Sequence, residues 1–514
     1  MANKGLFASA IAKLLPATDT VNRAGAPAYA LGAEAKLAQL AATGTLNDSF
    51  YASAETHLAD AIAAAKAADP MFVARCAVYA RKAGAMKDMP ALLTAYLTVA
   101  EPDLAVRVFG RVIDNGRMLR TFVQIMRSGQ VGRTSLGTRP KRLVKQWLEH
   151  ASMRDLMAAA TGNDPSLADI VRMVHPNPAD ESRRAFYGWL IGKPYDVAAL
   201  PVEIAAFEDW KRDSSGPLPP VPFQWLTALP LTAEQWGELA CTMGWQALRM
   251  NLNTLARNGA FAVKGVTEAV AIRLSDKDAI SKARVLPYQL MMALGAAGEG
   301  VPLKVQAALE DALEASVSNV PAVSGRVVVC PDVSGSMRSP ATGYRKGATS
   351  KVSCNDVAAL VAAAVLRANR EARVLPFEEK VVAVKLDPFA RLAVNTAKLA
   401  AIGGGGTSVS APLAKLNAEK AAVDLVVIVS DNASWVDARA GATATMREWE
   451  KLKRRNRAAK LVCVDIQAHG STQASGRADI LNVGGFSDAV FDVIARFASG
   501  DARDWVSIVN ETEV

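Results

Sequence analysis

RVVVCPDVSGSM (Arg326–Met337) is the stretch on which the fold turns. Val327 to Cys330 run without a polar break into a loop rich in oxygen side chains and glycine. Unbroken β-branched runs of this length mark strands buried on both faces, as in a parallel sheet covered by helices. Two further runs repeat the pattern, DLVVIV (Asp424–Val429) and KLVCVD (Lys460–Asp465). Helical stretches lie between them. Val357, Leu360, Val361, Ala364 and Val365 share one helical face, with Asn355 placed to cap its start, and a last amphipathic helix runs through Phe486, Val490, Val493 and Phe497. Alternating strand and helix predicts a doubly wound α/β domain over residues 325–500, followed by a C-terminal tail, 501–514.

In such a sheet ligands lie beyond the carboxyl ends of the strands. Three loops arrive there with oxygen donors. The first carries Asp332, Ser334 and Ser336, a glycine run from Gly403 to Gly406 delivers Thr407, and the next long strand ends in Ser430-Asp431. Asp332, Ser334, Ser336, Thr407 and Asp431 are hard donors, suited to Mg2+ first and to Mn2+ second, rather than to zinc. Three of the five are hydroxyls, so a bound ion would remain undercompensated and would accept an outside anion. This combination resembles the metal-ion-dependent adhesion site of von Willebrand factor A domains, and the resemblance covers residues 325–500.

The same residues fail the requirements of other chemistries. A haloacid-dehalogenase-type phosphatase needs DxD, but Ser334 stands at the third position. A hydrolase elbow needs GxSxG, which the residues before Ser334 do not supply. GGGGTS lacks the lysine of a phosphate-binding loop. His57, His150, His175 and His469 form no ligand or triad spacing. The expectation is a protein that is not an enzyme.

Residues 1–320 follow a different grammar, helix after helix without strand runs. Thr232 and Gln235 form a capping-box pattern ahead of Trp236, Leu239, Ala240 and Met243, and Leu248, Leu252 and Leu255 continue on the next helix until Gly259. Ser166 with Asp169 and Ser275 with Asp278 mark further starts, and Asp69-Pro70, Glu101-Pro102 and Asp164-Pro165 mark boundaries. The proline-rich DSSGPLPPVP (Asp213–Pro222) reads as a long loop between helices. Many amphipathic helices on short turns predict an α-solenoid of HEAT-like helix pairs.

Charge is unevenly placed. The chain has 59 Lys+Arg against 50 Asp+Glu, a net +9. Between Arg117 and Leu148 stand Arg117, Arg120, Arg127, Arg133, Arg139, Lys141, Arg142 and Lys145, with no acidic residue. On the helix they end in, Leu143, Val144, Trp147 and Leu148 form the apolar face, so Arg142, Lys145 and Gln146 project elsewhere. An acid-free basic stretch is the footprint of a polyanion-binding surface. A second cluster, KLKRRNRAAK (Lys451–Lys460), extends such a footprint or is solvated surface.

Several segments together carry a family resemblance. They are the basic GR…L…W stretch, LADIVRMVHPNP (Leu167–Pro178), LTAEQWGELACTMGWQALRMNLNTLAR (Leu231–Arg257), VLPYQLMMAL (Val285–Leu294) and a C-terminal A-type domain. In this order they resemble the Ro 60 kDa autoantigen family, whose helical module is the TROVE domain. The resemblance implies a ring of helical repeats, a monomer, and binding of small structured non-coding (Y-like) RNA and of single-stranded ends of misfolded RNA. It also implies a role in RNA quality control or maturation with an exoribonuclease. By position it assigns His175 to the RNA-binding surface, with Arg172 one helical turn earlier. MAAATGNDPS (Met157–Ser166) departs from the family by being nearly neutral, so the Arg117–Lys145 stretch must supply more of the contact.

The alternative reading is a protein-interaction module whose A-type domain uses its ion to capture an acidic partner residue. Five scattered cysteines without CxxC spacing read as free thiols, and no apolar run approaches a membrane span. The N-terminal MANKGLFASAIAKLLPATDT reads as an amphipathic segment because Lys13 interrupts its apolar run. A cytoplasmic location is the expectation.

Overall fold

The computed structural model of the protein describes residues 15–22, 25–44, 46, 53–283, 285, 287–341, 352–431, 442–467, 471–485, 489–501 and 504–514. They form two compact units. The first is Asp69–Leu274 with Gly298–Val305 and Thr512–Val514; the second gathers the described residues up to Ala68 with Ser275–Ala297 and Gln306–Glu511. These units cut across the linear boundary expected near residue 320. Much of the N-terminal segment MANKGLFASAIAKLLPATDT, along with Phe486, lies outside the described residues.

The first unit is an array of helices. Its opening members are α1 (Pro70–Lys82), α2 (Asp88–Ala100), α3 (Pro102–Val112), α4 (Gly116–Arg127), α5 (Thr138–His150), α6 (Met153–Ala159), α7 (Leu167–Val174) and α8 (Glu181–Ile191). Asp69 accepts from the backbone N–H groups of Met71 and Phe72, with Pro70 at the first helical position, where a missing N–H costs nothing. α1 packs on α2 and α3, and α2 on α3 and α4. This is the stacking of neighbours expected of a helical-repeat protein. The capping boxes expected at Thr232–Gln235 and Ser166–Asp169 both form. The start expected at Ser275 does not: Asp276 is the cap, accepting from Asp278 and Ala279 N–H, because a carboxylate one residue on reaches the same donors.

The second unit is built on a five-stranded parallel sheet. Its strands are β1 (Val327–Pro331), β2 (Arg373–Val374), β3 (Leu425–Ser430), β4 (Lys460–Asp465) and β5 (Ile480–Gly484), in spatial order β2-β1-β3-β4-β5. Every residue of β1 and β3 is buried, as their unbroken apolar runs require. The core on one side closes around Trp449 and Phe377. β2 and β5 carry no such run. The first is two residues long, and the second is interrupted by Asn482. α9 (Cys354–Ala368) packs on β1, capped by Ser353, whose side chain accepts from Asp356 N–H. Asn355, expected as that cap, instead donates to the Ala400 carbonyl.

Two short strands also stand where only helices were expected. Thr20–Val21 pairs antiparallel with Pro27–Ala30, which pairs in turn with Ser471–Thr472. At two to four residues, rich in alanine and proline, they are too short to show an alternating pattern.

Candidate nucleic-acid interface and candidate metal centre

α4 and α5 shape the basic region. Asn115 caps α4 by accepting from Met118 N–H. Met118, Leu119, Phe122, Val123 and Met126 are buried along one side, so Arg117 and Arg127 face out at opposite ends of the helix. Gly116 lets α6 approach closely, since a Cβ there would lie 2.1 Å from that of Ala159. The chain then loops through residues 128–137 and enters α5 from Gly137, whose φ of +72° suits glycine. Pro140, Leu143, Val144 and Leu148 are buried, which fixes the helical phase. α7, ended by His175 in the left-handed conformation, packs against both α4 and α5.

An open concavity of about 750 Å3 lies between these pieces. Arg127, Lys141, Arg142 and Lys145 line it, with Thr134, Ser135, Thr138 and Met173, and no carboxylate is among the lining residues. Four cations around one recess with hydroxyl donors between them make a surface for phosphate oxygens.

The other expected RNA-binding residues stand elsewhere. Arg120 is half-buried and donates 2.5 Å to the Ala159 carbonyl, its guanidinium lying against Gly162. Burial, then the neighbouring Arg117, holds its pKa below the usual arginine value. Arg139 pairs with Asp103 at 2.9 Å, and the Arg133 guanidinium lies over Gly137. Arg172 is exposed and donates to the Ile191 carbonyl at 3.0 Å, and His175 is an exposed helix terminus. The Lys451–Lys460 cluster is largely engaged. Lys451 meets Glu448, Lys453 meets Asp479, Arg455 donates to Asn417 and Lys460 donates to the Phe497 carbonyl.

At the carboxyl edge of the sheet the register sets Ser430 beside Asp465 and Asp465 beside Gly484. Asp332, one residue past β1, is fully buried. Its two oxygens accept from Ser334 N–H at 2.8 Å and from the Ser430 hydroxyl at 2.6 Å. Thr407 Oγ1 donates to Ser334 Oγ at 2.9 Å, and Ser334 Oγ lies 3.4 Å from Ser336 Oγ. The Asp332 carboxyl is pushed well above the usual carboxylate range, chiefly by burial and next by the charge of Asp431. Asp465 is raised well above the usual carboxylate range for the same two reasons. Cys354 is pushed up to about 12 by burial. The five expected donors therefore sit on three converging loops, and the mutually repelling buried carboxylates fit a divalent cation between them.

A family model described as the Ro60 vWA domain matches residues 326–498. Over these residues the chain is similar to a Ro60-type von Willebrand A domain. The likeness to Ro proteins continues beyond it. RNA-binding protein RO60 of Deinococcus radiodurans is 28% identical, over 93% of this chain and 95% of its own length. The crystal structure of the Ro (RSR) protein of Deinococcus radiodurans matches the fold with a TM-score of 0.64 at 24% identity, covering 92% of this chain and 100% of that one. The resemblance drawn from the sequence thus holds over nearly the whole chain. No helix among the described residues is long and apolar enough to cross a membrane.

Within the A domain, sequence reasoning missed Ser430 as the partner of Asp332 and Asp465 as a third buried carboxylate. A usable signal was present for both. Each is a polar residue closing an otherwise apolar strand at the edge where ligands gather.

Proposed function

We propose that this protein is a non-catalytic RNA-binding scaffold of the Ro type. In this reading it takes small structured non-coding RNA and the single-stranded ends of misfolded RNA, and acts with an exoribonuclease in RNA quality control or maturation. The observation that carries the reading is the acid-free recess of Arg127, Lys141, Arg142 and Lys145. The similarity to the Deinococcus RNA-binding protein RO60 supports it. Phosphates would dock on these cations, and Thr134, Ser135 and Thr138 would add hydrogen bonds. Arg172 and His175 would extend the contact from the neighbouring helix, and Arg117, Arg133 and Arg139 would add long-range attraction.

In the same proposal Asp332, Ser334, Ser336, Thr407 and Asp431 hold Mg2+ or Mn2+. The ion would supply an electrophilic position for an outside carboxylate, which suits capture of a protein partner. The chain's own residues do the rest: Ser430 and the Ser334 amide orient Asp332, and Thr407 and Ser336 set the hydroxyl face.

The test is purification of the full chain and measurement of its affinity for a structured small RNA, beside a variant with Arg127, Lys141, Arg142 and Lys145 all changed to alanine. Co-purifying nucleic acid in the wild type alone, and affinity at least about 100-fold lower in the variant, is the expected outcome. Equal affinity of the two proteins contradicts the assignment.

A further inference from the structure

The segment Phe377–Glu378 follows β2 and runs beside the first metal-loop residue, Phe377 bridging in parallel to Asp332. Its backbone and side chain reach two of the three ligand-bearing loops. The Phe377 carbonyl accepts from Val333 N–H at 2.9 Å, in the middle of the Asp332–Ser334 turn. The Glu378 carbonyl accepts from Ser408 N–H at 3.0 Å, one residue after Thr407. The Glu378 carboxylate accepts from Gly405 N–H at 2.8 Å, two residues before Thr407. Gly405 in turn accepts from Gly335 N–H at 3.0 Å, which ties the two loops to each other.

We infer that Glu378 is the positioning residue of the metal pocket, gripping the glycine loop on both sides of Thr407 and setting its hydroxyl against Ser334. A run of four glycines has no side chains of its own to fix its path and loses more backbone freedom than any other sequence when ordered. Something outside the run must hold it, and Glu378 is placed to do so. The fit is close: a Cβ on Gly405 would stand 2.7 Å from the Glu378 carboxylate, so a side chain there would push that carboxylate aside. The residue is a partner of the loop rather than a ligand. Residues of this kind change metal affinity by roughly 10–100-fold when removed.

The consequence for metal affinity rests on the proposed ion-binding reading, whereas the grip itself is tested without metal. Amide exchange over residues 403–408 is measured in the metal-free full chain for wild type, Glu378→Ala and Glu378→Gln. Mn2+ affinity is then measured by calorimetry for the same proteins and for Asp332→Ala. Glutamine keeps a carbonyl oxygen for Gly405 N–H and loses only the charge. The expected result is faster exchange at Gly405 in Glu378→Ala, with Ser408, whose acceptor is the main-chain carbonyl that alanine keeps, and the apo thermal midpoint little changed. Mn2+ affinity falls at least about 10-fold in Glu378→Ala and stays within about 3-fold of wild type in Glu378→Gln. Unaltered exchange in Glu378→Ala, or a Glu378→Gln variant as weak for Mn2+ as the alanine variant, overturns the inference. Wild type binding Mn2+ no better than Asp332→Ala defeats the ion reading instead, and the exchange data still decide whether the grip exists.

Discussion

The two candidate sites are built in opposite ways. The basic recess draws its four cations from residues 127–145, a single stretch of chain, and holds them in the open. The metal pocket draws Asp332, Ser334, Ser336, Thr407 and Asp431 from three loops spread over a hundred residues, and buries all of them but Ser336. Exposed cations act through the sum of their charge, are screened by salt, and tolerate loss of any one member. Buried oxygens act through geometry, so one misplaced side chain undoes the set. The two sites should therefore fail differently when broken.

The largest expected effect is in the pocket. Asp332→Asn removes a charge that the ion needs, and Mn2+ binding by the full chain should become undetectable by calorimetry. RNA affinity should stay within about 2-fold, because the recess carries its own charge. A parallel loss of RNA affinity would erase the contrast. Next in size, single changes in the recess should be graded: Lys141→Ala, Arg142→Ala or Lys145→Ala each cost about 3- to 10-fold in RNA affinity at moderate salt. Arg139→Ala should cost less, since that side chain already pairs with Asp103. A filter-binding series ranking Arg139 above Lys141 would show that the wrong face of the helix had been chosen.

Smaller effects concern the scaffold. Gly116→Val forces a side chain into Ala159, and should destabilise the helical unit by about 1–3 kcal/mol in urea unfolding. Arg120→Met leaves the Ala159 carbonyl without its donor, and should cost about 1 kcal/mol of stability with RNA affinity unchanged. A selective fall in RNA affinity with stability intact would return Arg120 to the interface. The smallest effect is electrostatic. Hydrogen bonds from the Arg326 side chain and backbone, and the charge of that side chain, hold Asp424 down to about 2. Its folded value lies below its unfolded one, so its stabilising effect is present above about pH 4 and fades as pH falls towards 2. Asp424→Asn should lower the melting temperature slightly at pH 7 and not at all near pH 2.

How far these sites could be read from the sequence follows from the same contrast. DVSGSM, GGGGTS and VIVSDN name the pocket's donors because each loop carries its own local signature after a recognisable strand. What the sequence hides there is the support. Ser430 meets Asp332 only through the pairing of β1 and β3, and Glu378 reaches Gly405 only through the path of the chain after β2. The basic stretch is the reverse case. Absence of acids from Arg117 to Leu148 announces the surface, and Lys141 and Lys145 share a helical face by their spacing. Which cations stay available was not legible. Arg139 is taken by Asp103 from another helix, and Arg120 by the carbonyl of Ala159 at the end of α6. The short strands Thr20–Val21 and Pro27–Ala30 escaped because their own residues show no period, and because the second also pairs with the distant Ser471–Thr472.

The central claim is that phosphates dock on the recess of Arg127, Lys141, Arg142 and Lys145. Its most direct measurement is the dependence of RNA affinity on salt, for the wild type and for the variant lacking all four charges. Each phosphate contact contributes a log–log slope of about 0.7 to 0.9 through release of counterions. A variant line shallower by about 3 units is expected; two parallel lines, whatever their separation, would rule out docking on the recess.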